Sequence, residues 1–402
     1  AIARVVTGGK IYVAAGTYNE SVAITKRLTL DGAGRGTDPL ANTVITGTGT
    51  GNGITTVAGA SAASRLLVKD VRVTGFVNGV VASSFNTFDN VASVGNSNYG
   101  IDLNPLQDLV LNNCKFDGNI VGLKVATTAG VTNVTISNSS FDGNTQGWYI
   151  AAAKPADGST FSNVTVTNST FSNNLQKGIY AEKLEEALFD GITVNNSGTD
   201  PGYNHNNGID INLKYGTYQN IQILNSTITG CGAMGTATDA TEAAAATIKA
   251  RNDGGYATPP AILSDVRIEN STISGPQNGL RFGEPGQVNA GPTGVVIKNS
   301  TLNGAASYHI VNRTAANITA NEGNTFTGST TMSQIESKIM HGLDDGALGV
   351  VNYGQMAGSY SEIWVDDSWA GTPAGTPVSG HWFGANAFAT IQEAVNAVVV
   401  PG

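Results

Sequence analysis

The chain has 402 residues, 13% of them charged, 51 glycines and a formal net charge of −9. It is too apolar and too rich in β-branched residues for disorder, and it has no basic stripe to neutralise phosphates, which excludes nucleic acid as a partner. The acidic balance disfavours anionic membrane surfaces, and no run of about 18 apolar residues is present to insert into a bilayer.

The chain opens on Ala1-Ile-Ala-Arg-Val-Val-Thr-Gly-Gly9, which reads as the end of a helix, and then gives three short strands. Their inward residues are Ile11 and Val13, Val22 and Ile24, Leu28 and Leu30. From about residue 90 a motif recurs. Asn138-Ser-Ser-Phe-Asp-Gly-Asn144 matches stretches that begin at Asn113 and Asn168, and shorter copies begin at Asn225, Asn270 and Asn299. Fainter copies sit at Asn90 and Asn196, so most intervals fall between 23 and 30 residues. Alternating strands such as Val134-Thr-Ile136 and Val164-Thr-Val166 precede the motif, and Gly–apolar steps such as Gly147-Trp148 and Gly178-Ile179 follow it.

A period in the twenties with two or three alternating strands is one coil of a parallel β-helix. Asparagine tolerates the left-handed bend that turns the chain to its next face. The eight residues Asn90, Asn113, Asn138, Asn168, Asn196, Asn225, Asn270 and Asn299 are therefore expected to stack as a structural ladder. Its place in buried or half-buried turns explains the Asn-x-Ser/Thr triplets better than glycosylation does. Cys114 and Cys231 then lie four coils apart, on the order of 19 Å, too far for a disulfide.

One interval, between Asn225 and Asn270, is 45 residues long and implies an insertion between Cys231 and Pro260 that contains Ala243–Ala246. The stretch from Asp200 to Glu284 also holds most of the candidate chemistry. His205 or Lys249 is a possible base, with Arg251 or Arg281 to neutralise a uronate carboxylate. Tyr203, Asp210, Tyr215, Tyr218 and Glu284 are candidate glycan contacts, the tyrosines as stacking rings. Solvent-facing ion pairs are the plainer explanation of the charges, so no catalytic residue is assigned.

From about 331 the coil pattern breaks. Met332, Ile335 and Ile339 mark one face of a short helix, and Gly349–Tyr353 and Ile363–Val365 read as strands. Asp366 and Asp367 are the candidate metal ligands, for Ca²⁺, although a turn with solvated acids is the plainer reading. No other cofactor is expected. A final amphipathic helix has Phe388, Ile391, Val395 and Val398 on one face and Thr390 and Glu393 at capping-box spacing. Residues 394–402 resemble residues 1–9 at an offset of 393 positions, as in one period of a tandem array.

The segment Gly9–Gly32, preceded by a helix of the type Ala389-Thr-Ile-Gln-Glu-Ala-Val395, resembles the opening coils of the pectin-lyase-like, right-handed parallel β-helix superfamily. That superfamily includes pectate lyases, pectin methylesterases, alginate-type epimerases and large secreted repeat proteins. The resemblance implies an all-β fold: a right-handed, single-stranded parallel β-helix over 1–330, with a small α/β connector and capping helix over 331–402. The functional expectation is a structural or adhesive repeat module of a long extracellular or cell-surface protein, stacked head-to-tail on copies of itself. The alternatives are a polysaccharide lyase or epimerase, or a non-catalytic glycan-binding module. No epimerase-type Asp-Pro-His motif is present.

Overall fold

The computed structural model describes residues 1–154, 158–329, 332–353, 362–373 and 376–397. The strands form three stacked parallel sheets of fifteen, twelve and five strands, whose neighbours come from successive coils. The chain is a right-handed parallel β-helix. Val131–Ser137 pairs with Phe161–Thr167 in the register Val131↔Phe161, Val134↔Val164 and Ile136↔Val166. These six side chains are buried, while Asn133 and Asn163 point outward between them. The alternation read from the sequence is thus the inside and outside of the solenoid.

Three kinds of ladder hold the coils in register. The first is the aromatic residue of the motif. Phe116, Phe141 and Phe171 stack at centroid distances of 5.3 and 5.1 Å, with Trp148 edge-on to Phe141 and Phe171. The second is a row of glycines in the twelve-stranded sheet. A Cβ on Gly122 would lie 2.6 Å from the Gly147 carbonyl oxygen, and one on Gly147 would lie 2.2 Å from that of Gly178. The Gly–apolar step exists because the next coil's backbone comes too close for any side chain.

The third ladder is asparagine, and here the structure corrects the sequence reading. Asn90, Asn113, Asn138, Asn168, Asn225, Asn270 and Asn299 all take the left-handed conformation, with φ between 48° and 55°. Asn196 does so too, but one turn further on, after Thr193–Asn195. Gly191, at φ 65°, fills the place between Asn168 and Asn225. Glycine serves the same bend without leaving a motif letter. Except for Asn90, these asparagines are exposed, not buried or half-buried. Their amides connect only in places: Asn113 to Asn90 at 3.1 Å and Asn270 to Asn225 at 3.2 Å.

The buried amide ladder uses another residue, the last of Phe-Asp-Gly-Asn. The main-chain N–H of Asn96, Asn119 and Asn144 each donates to the side-chain oxygen of Asn119, Asn144 and Asn174 in turn, at 2.9, 2.8 and 2.9 Å. Each of these amides satisfies a main-chain group that the tight turn would otherwise strand away from water.

Two boundaries also move. The solenoid does not stop at residue 330, because Ile339–Met340 extends the twelve-stranded sheet and Val351–Asn352 the fifteen-stranded one. The helix before them spans only Met332–Glu336, since burying Ile339 as a strand residue adds a coil. Ala243–Ala246 is not in the insertion either. Ala244–Ala250 is a core strand, and the extra residues form loops on both sides of it, 230–243 and 251–261. Trp364–Val365 pairs with Ala387–Phe388, and a helix over Ile391–Ala397 follows. Thr390 and Glu393 form the expected capping box through reciprocal bonds of 3.1 and 3.2 Å. Val398 lies outside the described residues. Cys114 and Cys231 are both free and buried.

Candidate binding face

The outer side of the twelve-stranded sheet gathers most of the polar chemistry. The register sets Asp102, Lys124, Tyr149, Tyr180, Asp210, Thr247 and Arg281 in one outward row, a residue per coil and about 4.8 Å apart. Glu182, Asn212 and Lys249 stand beside them, and Lys214 and Arg251 lie a further step along their strands.

The upper half of this row is covered. Loop residues Tyr203, His205, Glu242, Tyr256 and Glu284 lie over it, and Asp210, Lys249 and Arg281 are buried beneath. Asp210 sits between Lys177, in ion-pair contact, and Lys249 at 3.3 Å. Burial alone would raise its carboxyl, but the two ammonium groups outweigh that and hold it well below the usual carboxylate range. Lys249 also reaches Glu284 at 3.0 Å. Arg251 forms a two-pronged contact with Asp253 at 2.9 and 2.6 Å, and reaches Glu284 at 3.3 Å. Arg281 donates to the carbonyls of Gly283 and Glu242 at 2.8 and 2.9 Å. Every cation named from the sequence is therefore committed to a partner in the protein.

The other candidates divide in the same way. Tyr218 is buried and donates to the Lys214 carbonyl at 2.8 Å, and Tyr215 is buried against Tyr256. Neither presents an open ring for stacking. Tyr203 is half-buried, edge-on to the exposed His205, whose Nδ1 lies 2.8 Å from Glu242. A cleft of about 180 Å³ opens beside Lys214 and Tyr215, lined also by Ala152, Ser159 and Glu185. Asp366 caps the turn Asp367–Trp369 by accepting from the Ser368 N–H at 2.9 Å, and both acids are exposed. Among the described residues, no three His, Cys, Asp or Glu side chains converge as metal ligands would.

The lower half of the row is open, and the sequence reading missed it. Asp102, Lys124 and Tyr149 are half-exposed. The Lys124 ammonium lies 4.0 Å from the centre of the Tyr149 ring, and Tyr180 packs on Tyr149 with centroids 5.4 Å apart. Desolvation lowers Lys124 to about 8, against the opposing pull of the Asp102 and Glu182 carboxylates. Tyr180 is fastened from behind, donating to Glu182, which also accepts from Lys214 and from the Ala152 N–H. The outcome is a stiff polar comb running into a loop-walled, charge-balanced floor. Its signal was in the sequence: the residue two after the glycine in Tyr99–Leu103, Val121–Val125 and Gln146–Ile150 is polar or aromatic, between two inward apolar residues.

Fold and face together define a parallel β-helix with a built polar surface on one sheet. No protein-family model matches the sequence, and no curated protein matches it significantly. Among solved structures, the chain is similar to the catalytic unit of a thermostable GH87 α-1,3-glucanase from Streptomyces thermodiastaticus. The TM-score is 0.55 at 14% identity, covering 87% of this chain and 63% of that one. The Azotobacter vinelandii mannuronan C-5 epimerase AlgE6 A-module gives 0.48 at 17% identity over 80% and 92% of the two chains. PfbA, a surface adhesin of Streptococcus pneumoniae, gives 0.43 at 12% identity over 79% and 84%. At such identities the likeness is one of fold. No helix is long and apolar enough to cross a membrane among the described residues.

Proposed function

We propose that this chain is an adhesive module of a long extracellular or cell-surface protein: a rigid rod that holds a polysaccharide along its twelve-stranded sheet without cleaving it. The observation that carries this is the open comb of Asp102, Lys124 and Tyr149, which runs into a floor whose cations are all engaged. One hydrogen-bonding side chain per coil, at about 4.8 Å, suits a chain of sugar rings lying along the rod. A lyase or epimerase needs a base and a neutralising cation together at the uronate; Lys249, Arg251 and Arg281 are each occupied, and the open Lys124 is packed over the Tyr149 ring. The glucanase whose fold this chain shares is a polysaccharide-acting protein by name, which agrees with this reading.

Affinity electrophoresis through gels containing alginate, pectate or an α-glucan tests it. Retardation by at least one polysaccharide is expected, and it is lost in Lys124→Met and Tyr149→Ala, whose melting temperatures stay near wild type. Growth of an unsaturated-uronate absorbance in the same mixtures would instead make the protein a lyase.

A further inference from the structure

The open half of the twelve-stranded sheet is poor in charge. Its outward row runs Thr55, Val81, Asp102, Lys124 and Tyr149 in consecutive coils. On one side of the row stand Asn52, Asn78, Tyr99, Val121 and Gln146, and on the other Ser83, Asn104 and Ala126. Among these residues only Asp102 and Lys124 carry a charge. The covered half is the reverse. Lys177, Glu182, Asp210, Lys249 and Arg281 crowd its floor, each already engaged within the protein.

The two charges of the open half answer each other. Asp102 and Lys124 face outward from adjacent coils, about 4.8 Å apart along the row. Burial works against the charge on both, and each partly restores the other's. The Lys124 ammonium has a second neighbour in the Tyr149 ring, whose centre is 4.0 Å away. A carboxylate arriving at Lys124 must compete with that ring for the ammonium and comes within one coil of Asp102.

Hydrogen-bonding capacity points the same way. The Asp102 carboxylate only accepts, the Lys124 ammonium only donates, and the Tyr149 hydroxyl does both. A sugar hydroxyl donates and accepts, so hydroxyls can answer all three in turn. A carboxylate cannot answer Asp102. A polyuronate also brings a charge on every ring to a surface with one ammonium to offer, on a chain of net charge −9. Carboxylates held there lose hydration and gain no counter-charge. The apolar Val81 and Ala126, with the exposed Ile120 in the turn ahead of Val121, suit the C–H faces of sugar rings.

We infer that the comb takes an uncharged polysaccharide, a polymer of neutral sugars, and rejects polymers of uronates. This rests on the reading of the face as a polysaccharide-binding surface and goes beyond it by naming the class of polymer.

Biolayer interferometry tests it, with dextran, a linear α-glucan and a galactomannan as neutral surfaces and alginate and pectate as anionic ones. At least one neutral surface is expected to bind the wild type, with an affinity that changes less than about twofold between low and high salt. Alginate and pectate bind at least about tenfold more weakly. Lys124→Met and Tyr149→Ala abolish the neutral binding, with melting temperatures near wild type. Asp102→Asn leaves Lys124 as the sole charge among these residues, and gains alginate or pectate binding that falls as salt rises. A wild type that prefers alginate or pectate, through binding that Lys124→Met removes, overturns the inference and leaves the adhesive reading standing. Neutral binding that survives both comb variants also overturns it, because the glycan then lies elsewhere. Binding to none of the five surfaces removes the adhesive reading itself, and the inference with it.

Discussion

Asp210 shows why a charge in the middle of a sheet face is poor evidence for catalysis. It is buried with Lys177 and Lys249 on either side, and its neighbours Glu284 and Arg251 extend the pairing outward. Removing the anion alone strands two ammonium groups away from water. Asp210→Asn is therefore expected to lower stability by about 3 to 5 kcal/mol, the range for breaking a buried pair from one side. Urea denaturation monitored by circular dichroism measures it, and a change below about 1 kcal/mol would show that the lysines are hydrated in place. Lys124 is the counterpart on the open side. Its lowered pKa comes from desolvation by the same packed surface, yet it still reaches solvent.

At the scale of the element, the bend after each strand of the large sheet decides where the next coil starts. It needs one residue in the left-handed region, and asparagine, aspartate or glycine supplies it. Asp70 (φ 57°) stands in that row below Asn90, and Gly191 and Gly323 fill it in later coils. A second left-handed row runs through the same sheet at Asp108, Asn133, Asn163, Glu186, Asn220 and Asp265, where each long strand kinks. Its letters stand in Val131-Thr-Asn-Val and Phe161-Ser-Asn-Val, but the motif asparagines overshadowed them. Because the bend asks only for backbone conformation, Asn138→Gly is expected to stay within a few tenths of a kcal/mol of wild type. Asn138→Val forces a β-branched residue to positive φ and should cost about 1 to 2 kcal/mol. Paired thermal melts of the two variants separate this from a loss of amide bonding, which would penalise both alike.

At the scale of the molecule, a solenoid must be closed at its ends, and here the far end is closed by a polar and aromatic plug. His309 packs on Phe326, Phe326 on Tyr353, and Tyr353 on Trp382 from the connector. His309 is buried and accepts from the Gly304 N–H through Nδ1 at 3.1 Å, which requires a neutral ring. Its Nε2 lies 3.2 Å from the Ser329 hydroxyl, and the Lys338 ammonium adds to the pressure against protonation. Burial first, and Lys338 second, bring it down from 6.5 to about 4. Between those values the unfolded chain binds the proton more readily than the folded one. The contribution of a neutral His309 is thus complete above pH 6.5 and falls as the pH drops toward 4, by about 3 kcal/mol. Comparing wild type with His309→Gln in urea at pH 7.5 and 4.5 isolates it: the variant should lose less on acidification. Equal losses would place the acid sensitivity elsewhere.

The sequence by itself determined the coil. Inward alternation, the stacked phenylalanines, the glycine row and the left-handed asparagines follow from steric rules that act within a few residues, and a period repeats them until they are legible. The tertiary structure alone decided what each coil's outer face can do. Asn196 carries the motif letter but sits a turn away from the row, because the length of the preceding coil and the freedom of Gly191 moved the bend. Lys249, Arg251 and Arg281 look like a catalytic set in one dimension, yet loops 230–243 and 251–261 fold over them and bring their counter-ions. Asp102, Lys124 and Tyr149 looked like ordinary outward residues, and became an open comb because, among the described residues, no long loop covers their coils. Local conformation is set by neighbours in the chain. Exposure and pairing are set by residues 30 or more positions away, and their outcome depends on loop paths that no local rule fixes.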